Sequence, residues 1–335
     1  MRIETVAVPQ ALGSILMHNV ADGHGGLVVK KGVRIAVEHV ALLLAAGCGE
    51  VQVAVLDASD VHEDEAASTL AGALQAEHMA VARPAGGRAN LRAKVDGLLE
   101  IDAERLLKLN MVPGIGVGTR RQGALVGPNQ ESDNVATVKI LPFALPRARL
   151  EQAVELAQRR PGILKLRPFQ VGRRVAVLLV GDPSVQAELA ESYVPATQAR
   201  VERLAGRLEA VERAVQEEAE ICAAAARLLD AADLLVVAGQ TSIMDEQDTT
   251  VRAMEAVGGE GTLFGTPVEP GNMLALTYVR GKAVLCVPGC AKSLKRNVVD
   301  LVLPRLMLGD RLERRDIAAL GLGGFLTAAE RAGAA

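Results

Sequence analysis

Two carboxylates and a glycine-bearing polar loop follow a short apolar run near residue 240. Asp245 and Asp248 come shortly after the tetrapeptide Gly239-Gln240-Thr241-Ser242, and residues of these types suit a polar anionic ligand or its divalent counter-ion. Asp248 also opens the amphipathic segment 249–257, so its carboxylate either caps a helix there or faces a binding pocket. Both interpretations stay open from these residues alone.

A second polar loop follows the apolar run 283–287. It begins with Pro288 and Gly289 and reaches Lys292 and Ser293 at the head of a predicted helix. The N-terminus of a helix is a favourable place for a phosphate, because its backbone N–H groups and its dipole both attract negative charge. The alternative is a basic helix face that only meets solvent.

Both loops depend on the elements before them, the apolar runs 234–237 and 283–287. Each run is too short for a helix and is bounded by a turn signal, which predicts a strand buried on both faces of a parallel sheet. Ligands of such sheets bind beyond the carboxyl ends of the strands. We therefore expect the two loops to line one crevice.

The chain as a whole is predicted to be of the α/β class, with three modules. We expect a β-rich module over 1–60, an α+β module over 61–170, and a three-layer α/β domain with a mainly parallel sheet over 171–335. The Pro-, Gly- and Arg-rich stretch 161–172 marks the last boundary. In the middle module, Asp60 is predicted to cap a helix, with Glu63 completing a capping box.

Composition narrows the classes of function. Aromatic residues make up 2% of the 335 residues and the net charge is −3, so a base-stacking or strongly basic nucleic-acid surface is not expected. No apolar run approaches the roughly 20 residues of a membrane span, and the first residues do not resemble a signal peptide. The four cysteines show no CxxC spacing and fit reduced thiols, so we expect a cytoplasmic protein. Together with the composition, this predicts no membrane or nucleic-acid partner.

Several of these stretches together resemble the molybdopterin-binding family of molybdenum cofactor biosynthesis, which includes molybdopterin molybdotransferases. The resemblance rests on DLLVVAGQTSIMDEQDTT, FGTPVEPGNMLAL, VLCVPGCAKSLKRNVVDLVL and DIAALGLGGFL, and further on the N-terminal KKG, DVHEDEAA, GRANL and ATVKILPFALP. It covers nearly the whole chain. The similarity extends to the molybdopterin-binding half of cytidylyltransferase-type fusions, whose nucleotidyltransferase part has no counterpart here.

The resemblance implies a ligand, molybdopterin or its molybdenum form, with Mg²⁺ as a further cofactor and molybdate as a second substrate. Asp248 and Asp245 are then the candidate catalytic residues, and Asp248 the candidate metal ligand. The implied cofactor-binding residues are Gly239, Gln240, Thr241, Ser242, Thr250, Pro288, Gly289, Cys290, Lys292 and Ser293.

Two departures from the family pattern separate two functional hypotheses. Gln240 stands where the family has a second glycine, and Cys290 stands where molybdotransferases have asparagine. The chain is either a molybdotransferase-like enzyme or a non-catalytic carrier or sensor. A carrier would partner a molybdenum cofactor nucleotidyltransferase or a hydroxylase maturation factor, and the resemblance also implies a homo-oligomer.

Overall fold

A computed structural model describes residues 1–22 and 24–332. The chain divides into two compact units. The first comprises Met1–Val95 and Leu99–Leu166, and the second comprises Asp96–Leu98 and the chain from Arg167 onward.

The amino-terminal part of the chain carries short strands and four helices among its described residues. Its strands are β1 (Arg2–Ala7), β2 (Ile15–Leu16), β3 (Val20–Ala21), β4 (Leu27–Val29), β5 (Glu50–Val55), β6 (Asp60–His62), β7 (Met79–Val81), β8 (Arg88–Ala93), β9 (Gly97–Ile101), β10 (Ile115–Thr119), β11 (Leu125–Val126), β12 (Asn134–Ile140), β13 (Ala144–Pro146) and β14 (Leu164–Pro168). Its helices are α1 (Val37–Ala45), α2 (Glu63–Leu74), α3 (Ala103–Asn110) and α4 (Arg147–Gln158), with a 3₁₀ turn at Val8–Ala11.

Alternating side chains bury one face of a four-stranded antiparallel sheet in this unit. Its strand order is β10-β12-β8-β7. Val117 faces Val138 across the first pair, and Val138 faces Ala89 across the second. These side chains pack with Leu70 and Leu74 of α2 in one apolar cluster. The neighbouring residues Gly116 and Thr137 lie on the opposite face of the sheet.

At the β10 edge of that sheet, one side chain bonds the backbone of Val117. The amide of Asn110, at the end of α3, accepts from the backbone N–H of Val117 at 2.7 Å and donates to its carbonyl at 3.0 Å. One side chain thus takes the two hydrogen bonds that a further strand would make with this residue.

The predicted cap of α2 is wrong. Asp60 lies in β6, where it pairs with Pro146 of β13, and its carboxylate lies 2.5 Å from the N-terminal ammonium of Met1. The helix begins after His62, whose Nδ1 accepts from the backbone N–H of Asp64 at 3.3 Å. Pairing of β6 with β13 therefore keeps Asp60 in a strand, and the helix begins three residues later.

The carboxy-terminal unit is built around one six-stranded sheet. Its strands are β15 (Arg174–Val180), β16 (Arg207–Ala214), β17 (Leu234–Gly239), β18 (Gly259–Phe264), β19 (Ala275–Val279) and β20 (Lys282–Val287). Its helices are α5 (Gln186–Arg203), α6 (Glu218–Ala231), α7 (Thr249–Ala256), α8 (Val299–Met307), α9 (Arg314–Ala319) and α10 (Ala328–Ala332), with a 3₁₀ turn at Gly289–Lys292.

The sheet of this unit is mainly parallel. Its order is β16-β15-β17-β20-β19-β18, and the first four strands pair in parallel while β19 and β18 are antiparallel additions. The central strands β15, β17 and β20 are buried along almost their whole length, as their unbroken apolar runs predicted.

Helices cover both faces of this sheet. Ala176, Leu178 and Val180 of β15 pack in one cluster with buried residues of α6 and α7. The intervening β15 residues point to the other face, where α5 lies, because successive strand side chains alternate in direction. The predicted three-layer α/β domain with a mainly parallel sheet is confirmed.

Candidate functional site

The two loops predicted to share a site lie side by side. β17 and β20 are parallel neighbours, and their last registered pair is Ala238 with Val287. Both loops therefore leave the same edge of the sheet at the same level. A β-carbon placed on Gly289 would lie 3.7 Å from Oγ of Ser242, so the side chain of Ser242 in the first loop lies beside Gly289 of the second. The structure thus places residues 239–242 and 288–293 together at the carboxyl edge.

Gly239 makes the turn that starts the first loop. A β-carbon at this position would lie 2.7 Å from the backbone carbonyl oxygen of Thr241, which is closer than side chains approach backbone. The loop therefore folds back tightly at the end of β17, and Thr241 is exposed beyond it. A tight glycine turn at a strand end lets a ligand approach the backbone closely.

Gln240 is bonded to the neighbouring strand-end loop. The side-chain Oε1 of Gln240 accepts from the backbone N–H of Asp182 at 3.0 Å. The backbone N–H of Gln240 donates to the backbone carbonyl of Val180 at 2.8 Å. Asp182 belongs to the loop after β15. The side chain of Gln240 therefore connects the loops of two adjacent strands.

Asp248 is the N-cap of α7. Its Oδ1 accepts from the backbone N–H of Thr250 at 2.9 Å, and Thr250 is buried in the first helical turn. Of the two roles left open by the sequence, capping is therefore directly observed, and the carboxylate remains half-exposed. Asp248 also contributes, after burial itself, to raising the pKa of the Cys286 thiol to about 12.

Asp245 lies in the exposed loop before α7. Its Oδ1 accepts from the backbone N–H of Gln247 at 2.7 Å, and its carbonyl accepts from the N–H of Asp248 at 3.3 Å. Within residues 1–22 and 24–332, no group of three or more His, Cys, Asp and Glu side chains is arranged to hold a metal ion.

The second loop follows Pro288 as a short 3₁₀ turn, Gly289–Lys292. Cys290 is half-buried, and burial raises the pKa of its thiol above the usual value. Lys292 is exposed and holds its Nζ 5.3 Å above the ring centre of Tyr193, a buried residue of α5. Burial, together with the nearby Cys290, raises the pKa of Tyr193 to about 12. Lys292 thus presents a cation at this edge, supported by an aromatic face.

The predicted position of Ser293 at a helix N-terminus is wrong. α8 begins only at Val299, and Oδ1 of Asn297 accepts the N–H of Val299 at 3.0 Å. Oγ of Ser293 instead accepts from the backbone N–H of Lys295 at 3.1 Å in the connecting turn. The basic residues before α8 therefore belong to a loop, and Ser293 lies outside the first turn of the helix.

Residues distant in sequence hold this loop, and no local motif marked them. Arg200 of α5 is 6% exposed and donates to the backbone carbonyls of Ala291 and Ser293 at 3.0 and 2.6 Å. Asn297 is buried and donates through Nδ2 to the carbonyl of Cys290 at 3.2 Å. The only sequence signal for Arg200 was a charged residue on a helix that packs on a buried strand.

A third polar loop, 265–272, connects β18 to β19. Thr266 is buried there, and its Oγ1 donates to the carbonyl of Gly271 at 3.2 Å. Glu269 is exposed and adds to the upward shift of the pKa of Cys290. The negative charge of Glu269 in this loop therefore disfavours the thiolate of Cys290 in the second loop.

Comparison with known proteins gives a match to one family over this unit. Residues 176–308 match the family described as a probable molybdopterin binding domain. None of the curated proteins matches the chain.

Several solved structures are similar to this chain at low identity. A molybdopterin biosynthesis MoeA protein from Pyrococcus horikoshii has 14% identity and a TM-score of 0.31, over 94% of this chain and 75% of that chain. A CinA protein of unknown function from Thermoplasma acidophilum has 15% identity and a TM-score of 0.31, over 36% and 90%. The tungsten cofactor synthesizing protein MoaB from Pyrococcus furiosus has 14% identity and a TM-score of 0.29, over 41% and 88%.

The family match covers β15 through α8 and includes both strand-end loops. Residues 176–308 are therefore similar to the probable molybdopterin binding domain described by this family.

Proposed function

We propose that this chain binds molybdopterin and acts in molybdenum cofactor biosynthesis, in molybdate insertion or another maturation step. The observation that carries the proposal is the junction of two loops at the carboxyl edge of β17 and β20, marked by Ser242 against Gly289. In open parallel sheets, ligands bind at this edge. The family match over residues 176–308 supports molybdopterin as that ligand.

Each loop has a distinct part in this proposal. Gly239, Thr241 and Ser242 would receive the ligand on exposed or half-exposed backbone and hydroxyl groups. Lys292 would offer its ammonium to the negative charge of the ligand, since molybdopterin and molybdate are both anionic. The remaining proposed contacts are Gln240, Thr250, Pro288, Gly289, Cys290 and Ser293.

Asp248 and Asp245 have a more limited proposed part. Magnesium is commonly held by one or two carboxylates together with phosphate oxygens of the substrate, so a protein-only cage is not required. We therefore propose Asp248 as a contact for a magnesium ion that accompanies the ligand, and Asp245 as a further carboxylate for the reaction. Capping of α7 engages one oxygen of Asp248 and leaves its charge in place.

A second candidate function is that of a non-catalytic molybdopterin carrier or sensor. It is favoured by Gln240, which is bonded to Asp182 in the loop after β15. It is also favoured by Cys290, whose raised pKa keeps it a neutral thiol near neutral pH. Such a carrier would deliver the cofactor to a nucleotidyltransferase or a hydroxylase maturation factor, acting as a cytoplasmic homo-oligomer. No helix within the described residues is long and apolar enough to cross a bilayer.

The decisive experiment combines binding with reconstitution. The purified chain is titrated with molybdopterin, then incubated with molybdopterin, molybdate and Mg²⁺, and the mixture is used to activate a molybdenum apo-enzyme. We expect saturable binding in the micromolar range and, for the enzymatic function, activation that depends on this protein. Binding without a molybdate-dependent step would select the carrier. Absence of saturable binding would reject both.

A further inference from the structure

One buried charge in the carboxy-terminal unit is tied directly to the second loop. Arg200 lies on α5 and is 6% exposed. Burying a guanidinium is unfavourable unless its N–H groups find acceptors and its charge finds a partner. The acceptors that Arg200 uses therefore show what this residue stabilises.

All five N–H groups of Arg200 have acceptors. Nε donates to Oδ1 of Asp300 at 2.9 Å, and Nη2 donates to Oδ2 of the same carboxylate at 3.2 Å. Nη2 also donates to the carbonyl of Ser293 at 2.6 Å, and Nη1 to that of Ala291 at 3.0 Å. The last bond joins Nη1 to the carbonyl of Ala196 at 3.3 Å, one turn earlier on α5.

Two of these acceptors lie on either side of Lys292. Arg200 donates to the carbonyl of the residue before Lys292 and to the carbonyl of the residue after it. The backbone of Lys292 is therefore held from both sides. Asp300 extends the same arrangement, because its Oδ2 also accepts from the N–H of Asn297 at 2.9 Å. A planar fork of donors can span two carbonyls and a carboxylate, which a lysine ammonium cannot do with the same geometry.

We infer that Arg200 and Asp300 form a positioning pair, which holds the loop 289–295 in the conformation that presents Lys292 and Cys290 to the ligand. The inference rests on the proposed function for the identity of the ligand. Neither residue touches that ligand. The pair acts through the backbone that carries the proposed contacts.

The same unit contains a control pair at the other end of the strands. Arg174 is the first residue of β15, and Nη2 of its guanidinium donates to Oδ1 of Asp233 at 2.7 Å. Asp233 immediately precedes β17, so this pair joins the amino ends of two strands. It matches the chemistry of Arg200 with Asp300 but lies away from the carboxyl-edge loops.

The first test needs no ligand. Amide hydrogen exchange is measured over 289–295 in wild-type protein and in Arg200→Lys, Asp300→Asn, Arg174→Lys and Asp233→Asn. We expect exchange in this loop to quicken about tenfold or more in the first two variants, while the other two leave it at the wild-type rate. Unchanged exchange in both Arg200→Lys and Asp300→Asn overturns the positioning role. Asp300→Asn keeps the arginine, so it serves if the lysine variant does not fold.

The second test asks whether the loop conformation matters for binding. The same four variants are titrated with molybdopterin at a temperature where all are folded, as checked by circular dichroism. We expect about tenfold weaker affinity in Arg200→Lys and Asp300→Asn, and wild-type affinity in the two control variants. Equal affinity in all four overturns the ligand part of the inference. Wild-type protein that does not bind molybdopterin overturns the proposed function, while the exchange measurement still decides the role of Arg200 in the loop.

Discussion

The side-chain oxygen of Gln240 accepts a hydrogen bond of 3.0 Å from the backbone N–H of Asp182. This bond joins the loop that follows β17 to the loop that follows β15. A glycine at position 240 would leave the N–H of Asp182 to solvent and would give the first loop more freedom. The side chain of Gln240 thus adds a connection at the proposed binding edge.

Gln240→Ala is expected to lower the free energy of unfolding by about 0.5–1.5 kcal/mol, the contribution of a typical hydrogen bond. Gln240→Glu keeps the acceptor and should retain most of this stability. Urea unfolding measures both effects. If the side chain also approaches the anionic ligand, the glutamate variant should bind molybdopterin more weakly than wild type although its stability is preserved. Equal binding by wild type and the glutamate variant would limit Gln240 to the loop connection.

Asp248→Asn separates helix capping from charge. Asparagine is as good an N-cap as aspartate, so thermal stability should hardly change, whereas Asp248→Ala should cost about 1 kcal/mol. Molybdate-dependent reconstitution should fall by about an order of magnitude or more in Asp248→Asn if the carboxylate serves metal or proton chemistry. Reconstitution at the wild-type level by this variant would remove Asp248 from the catalytic residues.

The two glycines of the proposed site should respond differently to alanine. In Gly239→Ala the new β-carbon would lie 2.7 Å from the carbonyl oxygen of Thr241, so the loop must move and molybdopterin affinity should fall. In Gly289→Ala the new atom would meet Oγ of Ser242 at 3.7 Å, an ordinary contact, so the fold should be preserved. Circular dichroism and thermal melts check the fold, and titration checks affinity. A Gly239→Ala protein with unaltered stability and affinity would contradict the tight turn.

Tyr193 provides a pH-dependent signal. Burial, with a smaller contribution from Cys290, raises its pKa from 10.0 to about 12 in the folded protein. The folded state therefore holds the phenol proton more tightly than the unfolded state. The stability linked to this proton is complete below pH 10 and is lost as the pH rises towards 12.

The chain has two tyrosines and no tryptophan, so tyrosinate absorbance reports these groups cleanly. Burial also raises the pKa of Tyr278, so native protein should show less ionisation at pH 10 than guanidinium-unfolded protein, in which about half of the phenols are ionised. Tyr193→Phe should remove the step near pH 12 and leave that of Tyr278. A native titration that coincides with the unfolded one would contradict the burial of both phenols.

The central strands of the sheet were predictable from their local sequence alone. The runs around Val236 and Leu285 contain no polar residue, and their short length between turn signals favours a strand buried on both faces over a helix. Capping by Asp248 was one of the two roles that its position before an amphipathic segment left open. Whether the proposed contacts bind a ligand remains a prediction.

The support of the second loop was not predictable in the same way. Arg200 and Asp300 are 100 residues apart, and their pairing depends on how α5 and α8 are placed in three dimensions. The start of α8 was assigned too early because the basic residues near Ser293 resembled a helix head. Asn297 sets that start through its own side chain. At Asp60, likewise, the local sequence pattern did not show the pairing of β6 with β13, which brings together residues far apart in the chain.

The amide of Asn110 has a consequence for the behaviour of the chain at high concentration. Open strand edges are templates on which further chains add in extended form, and a protein must blunt them to avoid aggregation. Asn110 bonds both the N–H and the carbonyl of Val117 on the β10 edge. These two groups are therefore not free to bond an incoming strand. We therefore expect this side chain to oppose the addition of a further strand at Val117, a position far along the sequence from the proposed binding loops.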